Sequence, residues 1–119
     1  MEKRAVRDFE VSGDLMPYLA DWAKQNNYHF KRSEGSAHIY QRGTGFLTAP
    51  MMFQASQEGS HVHIEAWVRG TFFARLGSLF ILPAEMTIAS GGSRGVIPRK
   101  MARGDVNKFL EGLQQPPIT

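Results

Sequence analysis

The chain has no cysteine among its 119 residues. That removes disulfide frameworks, zinc ribbons and thiol nucleophiles together, and it fits a reducing compartment. Histidine is scarce, with four residues and none after His63. Long apolar runs are missing as well. The longest uncharged stretch, 43–57, has 15 residues and includes Gly, Thr, Gln and Pro, whereas a membrane-spanning helix needs about 20 mostly apolar residues. The N-terminal MEKRAVRDFEV is charged where a secretory signal needs an apolar core. These absences lead to the expectation of a cytoplasmic protein with no cofactor.

What is present fits one globular domain over 1–115 and a tail at 116–119. Hydrophobic residues make up 42% and charged residues 21%, enough apolar side chain for a core. A net charge of +3 is too small an excess to name nucleic acid as a partner. Its distribution says more. The stretch SRGVIPRKMAR carries Arg94, Arg99, Lys100 and Arg103 without one carboxylate.

RAVRDFEVS reads as a first strand, with Phe9 and Val11 on one face and Asp8 and Glu10 on the other. SGDLMPYLADWAKQNN reads as a helix. Ser12 or Asp14 can cap it, Pro17 falls in its tolerant first turn, and Leu15, Leu19, Trp22 and Ala23 form one stripe. Asn26 and Asn27 supply a stop.

Two hairpins follow, with turns in SEGS and QEGS. Taking Glu58-Gly59 as the second loop sets Phe53 opposite Ile64 and Ala55 opposite Val62. His61, His63 and Glu65 then occupy the other face. The first hairpin, read alike, sets Phe30 opposite Ile39 and His29 opposite Tyr40. The apolar segment 71–82 supplies core strands or, at a sheet edge, a homodimer contact or a lip for a partner. A last helix starts near Pro98, with Val106, Phe109, Leu110 and Leu113 as its stripe. The expected fold is α+β in two layers. A curved antiparallel sheet of about five to six strands carries both helices on one face, in the order β-α-β-β-β-β-(β)-α, with room for a groove between sheet and helices.

Several patterns suggest chemistry, and each has a plainer account. His61 and His63 lie about 7 Å apart along a strand and can converge on one metal, but Glu65 stands about 13 Å from His61 and a third ligand must come from elsewhere. The plainer account is a hydrated sheet face, and no metal is expected. GGSRG at 91–95 matches a nucleophile elbow with Ser93 as the serine. It lacks a later histidine, and Val96, Ile97 and Pro98 separate it from the expected helix. The same loop can form an anion-binding nest, with Arg94, Arg99, Lys100 and Arg103 adding charge. Basic residues at a helix N-terminus oppose the helix dipole, so they call for a reason. RGD at 103–105 falls inside the helix and reads as chance. Trp67 faces away from Val62 and Ile64, free to stack on a ligand or to lie under a loop.

Three pieces, YQRGTGFLTAPMMF, VHIEAW and IPRKMARGDVNKFLEGL, together resemble a family of small bacterial domains of unknown activity. The matching positions are Tyr40, Gly43, Gly45, Phe46, Pro50, Glu65, Trp67, Pro98, Lys100, Val106 and Asn107. Some similar proteins carry a zinc ribbon, which a chain without cysteine cannot form. The resemblance implies a module working beside other parts and carries no catalytic residues over. The expected function is therefore non-catalytic binding of a small ligand or protein partner. The alternative is contact with an anionic surface, nucleic acid or acidic membrane headgroups, through 91–103.

Overall fold

The computed structural model describes residues 4–43, 49–69, 85–90 and 96–119, and only the backbone of Val96 and Ile97. The segment 71–82 and the loop 91–95, with Ser93 and Arg94, lie outside the described residues.

Strand β1 (Ala5–Glu10) leads into helix α1 (Met16–Gln25). The hairpins β2 (His29–Glu34)–β3 (Ala37–Arg42) and β4 (Met51–Glu58)–β5 (His61–Arg69) follow, then the short β6 (Glu85–Thr87) and helix α2 (Val96–Gly112). The six strands form one antiparallel sheet in the order β1-β5-β4-β3-β2, with β6 also on β5. β4 pairs with residues 61–68 of β5. β1 pairs with residues 61–66 and β6 with residues 67–69, so β1 and β6 lie end to end along the other edge of β5. No described helix is long and apolar enough to cross a membrane.

Both helices cover one face, giving the α+β layering that the apolar stripes predict. Leu15, Leu19, Trp22 and Ala23 of the α1 stripe are all buried, and so are Val106, Phe109 and Leu110 of α2. Trp22 lies at the centre, with ring centroids 4.6 Å from Phe53, 4.7 Å from Tyr28 and 5.4 Å from Phe109. Fully burying one such side chain stabilises the fold by about 1.5–3 kcal/mol. This cluster packs between sheet and helices.

The α1 start matches expectation in part, because Asp14 serves its first amide but not from the N-cap position. Leu15 is the N-cap residue, and its own side chain makes no capping hydrogen bond. Asp14 Oδ1 accepts from the Met16 amide at 3.1 Å, and Gln57 Oε1, reaching across from β4, accepts from the Leu15 amide at 2.9 Å. The C-terminal stop is as read, with Asn27 at φ 63° and Asn26 Nδ2 donating to the Trp22 carbonyl.

Each hairpin loop lies one residue later than expected. Glu58 pairs with His61, leaving Gly59 and Ser60 as the loop, and Glu34 pairs with Ala37 around Gly35 and Ser36. Gly59 and Gly35 take φ of 61° and 60° while the serines do not. A positive φ at the first loop residue alone belongs to a type II′ turn, whose twist suits a two-residue hairpin. The shift moves cross-strand partners by two, so Phe53 faces Ala66 and Ala55 faces Ile64. Both faces of the second hairpin keep their membership because the side-chain period is two. The first hairpin departs further. A bulge between Phe30 and Arg32 sets Phe30 opposite Tyr40, which moves Phe30 off the Ile39 face.

Residues read as a tail also join the core. Ile118 is buried. Its amide donates to Asn107 Oδ1 at 2.7 Å, and its carbonyl accepts from Asn107 Nδ2 at 3.0 Å. Helix α2 begins two residues before Pro98, so no intervening residues separate it from the GGSRG stretch. The missing later histidine still argues against the elbow, and the antiparallel sheet is not that of the hydrolase fold.

Candidate functional site

The sheet face away from the helices carries a continuous row of alternating charge. β1 lies antiparallel to β5 with Asp8 opposite His63 and Glu10 opposite His61. Glu10 meets His61 Nδ1 at 3.2 Å, and His61 Nε2 meets Asp8 Oδ1 at 3.0 Å. The same Asp8 oxygen meets His63 Nδ1 at 2.7 Å, and His63 Nε2 meets Glu65 at 2.8 Å. Glu65 accepts from Arg4 Nη1 at 3.0 Å, and Arg4 Nε and Nη2 grip Glu85 at 2.8 and 2.9 Å. The row Glu10–His61–Asp8–His63–Glu65–Arg4–Glu85 thus joins β1, β5 and β6. Ser60 adds a hydrogen bond to Glu10.

An ionised carboxylate only accepts hydrogen bonds. All four imidazole nitrogens face carboxylates, so the row closes when both rings carry two protons. The titration shifts agree. Glu10 and then Asp8 raise the His61 pKa above its ordinary 6.5, and Glu65 and then Asp8 raise that of His63. His63 holds Asp8 and Glu65 below the usual carboxylate range, and Ser60 does so for Glu10. Doubly protonated rings offer no lone pair to a substrate proton or a metal. Among the described residues, no group of three or more His, Cys, Asp or Glu side chains is arranged to hold a metal ion.

Trp67 shares this face and is buried beside Ile39 and Met52. The Arg4 guanidinium lies over its ring, 3.7 Å from the centroid, a cation–π contact that occupies the surface a ligand would stack on.

The basic stretch is divided. Arg99 is 2% exposed and donates to the carbonyls of Thr87 and Ala89. Arg103, one helical turn on, donates to Ile88. Together they hold three successive carbonyls at the end of β6, which gives these cations a structural reason to stand at a helix start. Burial, and then Arg103, lower the Arg99 pKa. Lys100 is exposed. Asp105 of the RGD stretch is buried and accepts from Arg42 at 2.8 Å and from the Tyr28 hydroxyl at 3.1 Å.

A concavity of about 410 Å³ lies between the helices, lined by Tyr18, Asp21, Trp22, Gln25, Asn26 and Lys108. The β2–β3 hairpin is a second exposed feature. No residue of β2 is buried, and Phe30 is 54% exposed. Its ring stands 5.6 Å from that of Tyr40 and 6.2 Å from that of His38.

Sequence reasoning found the two histidines but missed Arg4, Asp8 and Phe30 as site residues. Asp8 and His63 are 55 positions apart, and pairing between distant strands leaves no local signal. Phe30 was misassigned because the bulge is silent in the sequence. No family model matches the chain, and no curated protein or solved structure matches it either.

Proposed function

We propose that the chain is a non-catalytic binding module whose contact surface is the β2–β3 hairpin, and that its partner is single-stranded nucleic acid. The observation that carries this reading is Phe30, left more than half exposed on a strand with no buried residue. An aromatic ring on an open strand offers a stacking surface to a base, worth about 1–3 kcal/mol per base. Lys31 and Arg32, both exposed on the same strand, can meet phosphates, although Arg32 also pairs with Glu34. The motif resemblance to modules that work beside other parts favours binding over catalysis.

The alternative reading of the sequence places an anionic contact at 91–103. The inward donation of Arg99 and Arg103 favours the hairpin instead. Fluorescence anisotropy with a labelled oligothymidine tests the reading. Binding should be present at low salt and fall steeply as salt is added, and Phe30→Ala should weaken it roughly fivefold to a hundredfold. No binding at low salt rejects the nucleic-acid partner, while flotation with acidic vesicles would transfer the surface to a membrane headgroup.

A further inference from the structure

We propose that the row Glu10–His61–Asp8–His63–Glu65 is a proton-loaded clamp that fastens edge strand β1 to β5 in mildly acidic solution and slackens as the pH rises. The proposal stands on geometry. Four ring nitrogens point at three carboxylates, within 2.7–3.2 Å, and the carboxylates come from both strands. Asp8 Oδ1 is shared by two imidazoles on the neighbouring strand, so one β1 side chain receives both contacts. When each ring holds two protons, every contact is a charge-assisted hydrogen bond. When a ring loses a proton, one of its nitrogens presents a lone pair to a carboxylate oxygen, and attraction becomes repulsion at that point.

Among the described residues, the neighbours paired with the row on β4 and β1 do not compensate. On β4, Glu58 stands opposite His61, Ser56 opposite His63 and Gln54 opposite Glu65. The first of these adds negative charge and the others carry none. On β1, Val6 stands opposite Glu65 and offers no donor. Beyond Glu65 the row continues through Arg4 to Glu85 on β6. With both rings loaded, the seven groups from Glu10 to Glu85 sum to three positive and four negative charges. Loss of two protons leaves one positive against four negative, with the like charges along one seam.

The direction in pH follows from linkage. Both histidines have folded pKa values raised above 6.5, so their contribution is complete below about 6.5 and is lost as pH rises through the raised values. The carboxylates have lowered values, so their contribution is lost only in acid. The clamp is tightest between these limits.

The test is an imidazole nitrogen NMR titration of the full chain, paired with amide hydrogen exchange in β1 corrected for the intrinsic pH dependence of exchange. In the wild type, His61 and His63 should hold two ring protons at pH 6, and β1 protection should fall as they titrate. Asp8→Asn keeps the side-chain shape while removing the shared carboxylate. It should lower both histidine midpoints and weaken β1 protection below them. His61→Gln with His63→Gln gives a second variant, whose β1 protection should no longer change with pH over the same range. Unchanged histidine midpoints in Asp8→Asn, or β1 protection indifferent to histidine protonation in the wild type, would overturn the clamp.

Discussion

Arg99 on α2 donates through Nε to the carbonyl of Thr87, 2.7 Å away, with the residue only 2% exposed. The guanidinium is a fastening between the second helix and the end of β6. Replacing it with methionine keeps much of the volume and strips donors from the buried Thr87 carbonyl and the part-buried Ala89 carbonyl. Leaving such acceptors unsatisfied costs about 1–3 kcal/mol each. Arg99→Met should therefore lower stability by about 3 kcal/mol in urea unfolding, and Arg99→Lys, retaining a shorter cation, should fall between it and the wild type.

Much of the layering was legible, and the reason is periodicity. The stripe from Leu15 to Ala23 and the alternation through β4 and β5 each report a buried face directly. Partners were less legible. Moving one glycine from second to first loop position shifts the whole β4–β5 register by two without disturbing either face. The β1–β5 pairing, which turns His61 and His63 from isolated imidazoles into members of a charged row, depends on residues more than 50 positions apart. The basic residues of 99–103 were visible, but only the fold shows that two of them turn inward to carbonyls.

Gly112 at the end of α2 faces the Tyr18 hydroxyl so closely that a Cβ built on it would stand 2.1 Å from that oxygen. The hydroxyl donates to the Phe109 carbonyl at 2.7 Å. Alanine is ordinarily better than glycine in a helix by about 1 kcal/mol, yet here Gly112→Ala must displace Tyr18. We expect a net loss of about 1 kcal/mol from the broken hydrogen bond. In a Tyr18→Phe background the added cost of Gly112→Ala should shrink, and a double-mutant cycle by thermal unfolding measures that coupling.

Acid should act on the outer face through the carboxylates. Asp8, Glu10 and Glu65 have folded pKa values below their ordinary 3.8 and 4.5. Their contribution is present above those ordinary values and is lost as pH falls through the lowered ones. The urea midpoint of the wild type should be broadest and highest between about pH 4.5 and 6.5, declining on both sides. Replacing His61 and His63 with glutamine should flatten the alkaline decline in the same measurement.

The most direct measurement of the binding reading is a backbone amide NMR titration of the full chain with unlabelled oligothymidine at low salt. The shifts should concentrate on Phe30, Lys31, Arg32, His38 and Tyr40, and need a roughly fivefold to hundredfold higher oligothymidine concentration in Phe30→Ala. Shifts confined to α2 around Lys100, or to the concavity beside Lys108, would contradict the hairpin as the contact surface.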